Sequence, residues 1–301
     1  MPTIQVLNIS KTYRNGVKAV EDVSLVFNEG IYALMGPNGS GKTTTLNIIG
    51  GVLKPDKGEV SIQGYSMWGD GYIEARKRVG IAIQDMPFFN YLTGIDNLIY
   101  IGLLRGLSIS EAGRRARKLL RDVGLWNSRR RRVSSYSGGM RRRLAIAASL
   151  IHDPDIIILD EPASGLDPKS REELWSLLLE ICGDKTIIFS SHDGYEVERF
   201  SQYVYLFHRG RVVEEGEPRE LIERYVPHPQ AIVWFEGGEP PDVDGVKPLV
   251  IGSTARYSLD GVEVDDVLNA FRVRGLTLRK IEIVEPSLSE VFIRLTGEEL
   301  S

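Results

Sequence analysis

The chain has 301 residues and one cysteine, Cys182, which excludes an intramolecular disulfide and fits a reducing compartment. With 42% hydrophobic and 26% charged residues it has the balance of a folded globular protein, long enough for one large domain or two. Residues 1–225 hold 30 Lys/Arg against 28 Asp/Glu, and residues 226–301 hold 7 against 13, so neither part has the basic excess of a general nucleic-acid binder.

No basic start followed by an apolar stretch opens the chain, so no signal peptide is expected. The longest apolar runs, 144–151 and 156–159, fall well short of the roughly 18 residues a membrane helix needs, so no span is expected either.

Through residue 225, short β-rich runs alternate with helical patterns. Strands are expected at 4–9, 31–35, 60–62, 81–83, 156–160, 186–190 and 204–207, and helices at 42–49, 95–104, 110–123, 139–151 and 168–181. The unbroken apolar run 156–159 suits a strand buried on both faces. Alternation of this kind predicts an α/β fold with a mostly parallel sheet. After residue 225, "VPHPQ" and "GGEPPDVDG" have linker or turn composition. Beyond residue 230 come an expected strand (231–235), hairpin segments (246–251, 255–258), a helix (264–274), a strand (276–284) and a last helix (287–295), a small α+β domain over 226–301.

"LMGPNGSGKTTT" follows an apolar strand and opens a helix, the context required of the P-loop pattern Gly36-x-x-x-x-Gly41-Lys42-Thr43. Glycines let successive backbone N–H groups curl around phosphate oxygens, and the helix N-terminus adds partial positive charge. The nucleotide-binding set is therefore Gly36, Pro37, Asn38, Gly39, Ser40, Gly41, Lys42, Thr43 and Thr44. Lys42 is expected to reach the β- and γ-phosphates and the Thr43 hydroxyl to ligate Mg²⁺. A glycine-rich turn with a chance lysine is the alternative, disfavoured by the flanking elements. "IIIILDEP" ends a buried strand in Asp160 and Glu161, and strand ends in open α/β sheets face the ligand crevice. Asp160 suits a metal-holding role through water and Glu161 that of a general base on the attacking water. Without the P-loop the same pair would read equally well as acidic loop residues.

With these motifs the chain resembles the nucleotide-binding subunit of ABC transporters over roughly residues 1–225. Tyr13, in "KTYRNGVKAV", matches the family's adenine-stacking aromatic. Gln84 matches the Q-loop glutamine, which senses the metal and the γ-phosphate. "YSGGM" (136–140) resembles the signature LSGGQ, with Tyr136 and Met140 in place of leucine and glutamine, and keeps Ser137, Gly138 and Gly139. Asp167, in "SGLD", resembles the D-loop aspartate, and His192, after "IIFSS", the switch histidine. Taken singly, Tyr13 reads as a packed surface tyrosine and the other three as ordinary loop residues; the spacing to the P-loop lifts them together.

The resemblance implies an ABC-type P-loop NTPase with a mostly parallel central sheet, an antiparallel β subdomain and a helical subdomain, binding ATP and Mg²⁺. It implies head-to-tail pairing with a second ATP-binding subunit, a homodimer being expected. The signature of one copy closes over the γ-phosphate held by the other, and hydrolysis through Glu161 releases the pair. It also implies a transmembrane permease partner at the cytoplasmic face of the membrane. The apolar loop after Gln84, with Met86, Phe88, Phe89 and Tyr91, is the expected docking region, although these side chains could instead pack inside the domain. The tail "EPSLSEVFIRLTGEE" is similar to the end of exporter ATPase subunits, which favours export. A soluble single-cassette ABC ATPase acting in assembly or regulation is the competing reading, and no nucleic-acid partner is expected. A simple kinase or GTPase would not account for "YSGGM".

The signature is flanked by Arg129–Arg132 and Arg141–Arg143. The first run reads as a surface or interface segment, with contact to the membrane partner as a sharper alternative. The second reads as a solvated or structural face of the following helix.

Overall fold

The computed structural model describes residues 3–83 and 86–300. Gln84 thus lies outside the described residues. The chain divides into two compact units, Met1–His192 with Phe200–Glu214, and Asp193–Arg199 with Glu215–Ser301.

The first unit begins with β1 (Ile4–Thr12), β2 (Lys18–Phe27), β3 (Ile31–Met35), α1 (Lys42–Ile49), β4 (Lys57–Ile62), β5 (Tyr65–Ser66), α2 (Tyr72–Lys77) and β6 (Val79–Ala82). Helices α3 (Gly94–Leu104), α4 (Ile109–Asp122) and α5 (Gly138–Leu150) pack on one another and form the helical part. Then come β7 (Ile156–Leu159), α6 (Pro168–Cys182), β8 (Thr186–Ser191), α7 (Gly194–Phe200), β9 (Tyr203–His208) and β10 (Arg211–Gly216). The central sheet has the order β10-β9-β3-β8-β7-β6, and its β9-β3, β3-β8, β8-β7 and β7-β6 pairs are parallel. Every residue of β7 and β8 is buried, as continuous apolar strands between two layers must be. A separate antiparallel sheet runs β2-β1-β4-β5. Its register sets Ile4 opposite Phe27 and Val6 opposite Leu25, and these side chains close one core with Leu34, Ile48 and Ile158.

β3 and α1 have the bounds expected from sequence, while β6 begins two residues before the run at 81–83. β2 was not expected. Asp22, at φ 55, interrupts the period-two alternation of "KAVEDVSLVF", and the pairing with β1 shifts register nearby. α2 has only six residues, too few to display a helical repeat.

The second unit carries α8 (Pro218–Tyr225), β11 (Gln230–Glu236), β12 (Leu249–Ile251), β13 (Thr254–Ser258), α9 (Val264–Val273), β14 (Thr277–Val284) and α10 (Leu288–Thr296). Its antiparallel sheet runs β12-β13-β11-β14, and α8 packs on α10. Ala255 and Tyr257 point into a core with Val233, Val267 and Phe271. Arg256, between them on β13, points to the opposite face and meets Glu290 of α10 at 2.6 Å. The two side chains are 6% and 8% exposed, so this is a buried ion pair. Arg256→Met strands the carboxylate without its cation, and a loss of about 3–5 kcal/mol is expected. Urea unfolding of the full chain measures it; a loss under about 1 kcal/mol would show that the pair contributes little.

Candidate nucleotide site

The loop from Gly36 to Gly41 joins β3 to α1. A side chain at Gly36 would set its Cβ 2.1 Å from the Phe207 carbonyl oxygen. One at Gly41, at φ 106, would lie 2.4 Å from that of Ala19. Glycine is thus required at both positions, by close backbone approach and at Gly41 also by a left-handed conformation. Gly41 caps α1 without a side-chain hydrogen bond, which leaves the helix N-terminus to the loop. Lys42 is buried, and its Nζ donates to the carbonyl oxygens of Gly36 at 2.7 Å and Pro37 at 2.9 Å. Burial lowers its pKa, opposed by the charges of Glu161 and Asp160. The Ser40 hydroxyl is buried and has no hydrogen-bond partner among the described residues. Tyr13 is 42% exposed, with its hydroxyl 3.2 Å from Thr44 Oγ1, which places its ring beside the first turn of α1.

The carboxylates follow β7. Thr43 Oγ1 donates to Asp160 Oδ1 at 2.9 Å, and Ser190 Oγ donates to the same oxygen at 2.6 Å. Ser190 Oγ also accepts from the Glu161 N–H at 2.9 Å. Glu161 has φ 46, a conformation that costs a non-glycine residue about 1–3 kcal/mol and clusters at functional sites. His192 Nδ1 lies 3.3 Å from Glu161 Oε1, within reach of an N–H···O bond. Residues far apart in sequence thus form one chain of contacts, Thr43–Asp160–Ser190–Glu161–His192. A hydroxyl and a carboxylate side by side are hard oxygen donors of the kind Mg²⁺ takes together with water and phosphate.

Ser190 was not among the expected site residues. Parallel pairing of Leu159 with Phe189 carries Asp160 to the level of Ser190. Two serines ending the buried run "IIF" were the available signal, but their neighbour could be known only from the sheet order.

Ser137, Gly138 and Gly139 are exposed at the start of α5. Ser137 caps the helix, its Oγ accepting from the Met140 N–H at 3.3 Å, and a Cβ on either glycine would meet nothing within 4 Å. An open, positively polarised helix end results. Asp167 caps α6 by accepting from Ser170 N–H at 3.1 Å, and hydrogen bonds from Ser170 lower its pKa. Tyr136 is buried and donates to the Ser128 carbonyl at 2.8 Å, which fixes the loop ahead of the signature.

The arginines divide by contact. Arg129 lies 3.9 Å over the Trp126 ring, whose other neighbour is Arg121 at 4.1 Å. Arg141 donates to Asn90 Oδ1 at 2.6 Å, Arg142 to the Ser164 carbonyl at 2.9 Å, and Arg143 to the Val123 carbonyl at 3.3 Å. The second run is thus a set of ties from α5 to three neighbouring segments.

A groove of about 890 Å³ lies beside α2 and α3, lined by Ile73, Phe88, Phe89, Tyr100 and Leu104 among others. Ile73 and Leu104 are 67% and 69% exposed. Phe88 is half-buried, Phe89 meets Tyr100 edge-on at 5.0 Å, and Tyr91 stands exposed.

The ABC transporter family description matches residues 20–164. Over 98% of its length the chain is 31% identical to the daunorubicin/doxorubicin resistance ATP-binding protein DrrA of Streptomyces peucetius, covering 92% of that protein. The chain belongs to the ABC transporter family of ATP-binding proteins. This ABC subunit is also 33% identical to the Nod factor export ATP-binding protein I of Rhizobium leguminosarum bv. viciae, over 99% of this chain and 96% of that one. The solved dimeric, post-hydrolysis ATP-binding cassette MJ0796 with ADP and Pi is similar in structure, with a TM-score of 0.63 and 30% identity. That match covers 71% of this chain and 98% of the cassette. As an ABC ATP-binding subunit the chain binds and hydrolyses ATP. ABC ATP-binding subunits dimerise and work with transmembrane permeases. Among the described residues no helix is long and apolar enough to cross a membrane.

Proposed function

We propose that this chain powers export through a separate transmembrane partner, as one half of an ATP-bound homodimer. The observation that carries the reading is the contact chain from Thr43 to His192, which supplies phosphate-loop, metal-holding and proton-accepting groups at one place. The relatives named for drug resistance and Nod factor export support export as the direction. In this reading residues 1–225 are the ATP-binding domain and 226–301 an accessory domain.

The loop Gly36–Thr44 wraps the phosphates, Lys42 turns from the loop carbonyls to the β- and γ-oxygens, and Tyr13 stacks on the base. Thr43 and Asp160 would hold Mg²⁺, and Gln84 would sense the metal and the γ-phosphate. When bound there, the metal would supply charge neutralisation of the phosphate oxygens. Glu161 takes the proton of the attacking water while His192 orients it and meets the γ-phosphate. Ser137–Gly139 offer their free N–H groups to the nucleotide of the other copy, and Asp167 sits at the junction of the two. Each copy has one phosphate loop and one signature, so pairing completes two sites.

The groove around Phe88 and Phe89 is the docking face for the permease in this reading, with Met86 and Tyr91 at its edge. Its exposed apolar surface is of the kind that protein partners cover. Phe88→Asp with Phe89→Asp is expected to abolish co-purification of the membrane subunit while the isolated chain still hydrolyses ATP. Binding unchanged in that variant removes the groove from the docking role. Membrane fractionation tests the whole reading: recovery with a membrane protein supports it, and recovery only in the supernatant favours a soluble assembly ATPase.

A further inference from the structure

Three of the seven Lys/Arg residues in 226–301, Lys247, Arg256 and Arg294, line one cavity of about 420 Å³ in the second unit. This stretch is acidic overall, with 13 Asp/Glu, so the clustering runs against its own composition. The alternation of β13 creates the floor. Ala255 and Tyr257 turn into the core, while Arg256 and Ser258 turn to the face that carries α10. Helix α10 contributes Ile293 and Arg294 on successive positions, and the segment before β12 contributes Val246 and Lys247.

The charges at this cavity are not equivalent. Arg256 is buried and neutralised: its Nη1 donates to both carboxylate oxygens of Glu290, at 2.8 and 2.6 Å, and its Nη2 to Glu299 at 3.1 Å. Its Nε–H has no hydrogen-bond partner among the described residues. Lys247 and Arg294 are exposed, and among the described residues neither has an ion-pair partner. Arg279 and Lys280 of the same unit, by contrast, are paired with Glu236 and Glu282. Beside the two unpaired cations the lining sets apolar Val226, Val246, Leu249 and Ile293 next to polar Gln230 and Ser258 and the Arg256–Glu290 pair. Its volume falls in the range of small-molecule sites, which combine apolar walls with a few placed polar groups.

We propose that this cavity binds a small organic anion, a carboxylate carried on an apolar body. The head lies between Lys247 and Arg294, and the body lies against Val246, Leu249 and Ile293. The fixed Arg256–Glu290 pair forms a rigid polar floor. This site is independent of the ATP site and of the export reading.

The experiment is calorimetric titration of the full chain, without nucleotide, with octanoate as probe. Saturable one-to-one binding is expected, weakened about tenfold or more in Lys247→Ala with Arg294→Ala, and absent with octylammonium or with acetate at the same concentrations. Both substituted side chains are exposed, so the fold is expected to survive, and Lys247→Glu alone repeats the test on a loop position. A silent octanoate titration, unchanged affinity in the variants, or equal binding of octylammonium overturns the proposal. Equal affinity for acetate overturns the role given to the apolar wall.

Discussion

Glu161→Gln is expected to keep ATP binding, to lose about 10²–10⁴-fold in turnover and to accumulate as an ATP-bound dimer. The substitution is nearly isosteric at a side chain only 12% exposed, and the backbone N–H bond to Ser190 remains. What disappears is the capacity to accept a proton from water. The amide can still hydrogen-bond His192 across the 3.3 Å contact, so the pocket keeps its shape while chemistry stops. Phosphate release measures the rate, and gel filtration with ATP and Mg²⁺ measures the dimer. Wild-type turnover in this variant removes Glu161 from the role of base. A dead enzyme that stays monomeric with ATP removes the head-to-tail pairing instead.

Lys42→Ala is expected to weaken ATP binding by roughly 10–150-fold, the loss of one charge-assisted hydrogen bond. The Lys42 ammonium is buried at the centre of the loop, with only the Gly36 and Pro37 carbonyls as hydrogen-bond partners in the described structure. Burial lowers its pKa and the charges of Glu161 and Asp160 only partly oppose this, so a bound polyanion would add to the support of its charge. Equilibrium dialysis with labelled ATP reads the affinity. Unfolding temperature is the control, because the same two bonds brace the loop. Unchanged affinity with an intact fold would show that the backbone amides alone hold the phosphates. The two variants separate binding from chemistry: one impairs occupancy, the other only turnover.

Much of the fold was legible in local pattern. The β3–α1 unit was visible to the residue because an apolar strand, a glycine-rich loop and a helix-forming run follow without interruption. The strand ending at Leu159 was equally clear, since a short apolar run closed by Asp155 and Asp160 suits a strand covered on both faces. β2 was hidden because Asp22 adopts a left-handed conformation and shifts the alternation that would have marked it. The arginine runs around "YSGGM" drew attention by composition, yet composition could not say what each one touches. Arg129 rests on Trp126, and Arg141–Arg143 bind Asn90, Ser164 and Val123, residues that lie 51, 22 and 20 positions away.

By itself the sequence determined the chemistry available: a loop only glycine permits, an ammonium at its end, two carboxylates at the close of a buried strand, and a serine cap before two glycines. These are properties of neighbouring residues, so short-range pattern carries them. Only the tertiary structure decided which groups meet. Sheet order places Ser190 against Asp160 and the Glu161 backbone, and the facing of β13 and α10 buries Arg256 on Glu290 and gathers Lys247 and Arg294 around one cavity. Strand pairing and helix docking join residues 29 or more positions apart, and no local periodicity encodes which strand lies beside which.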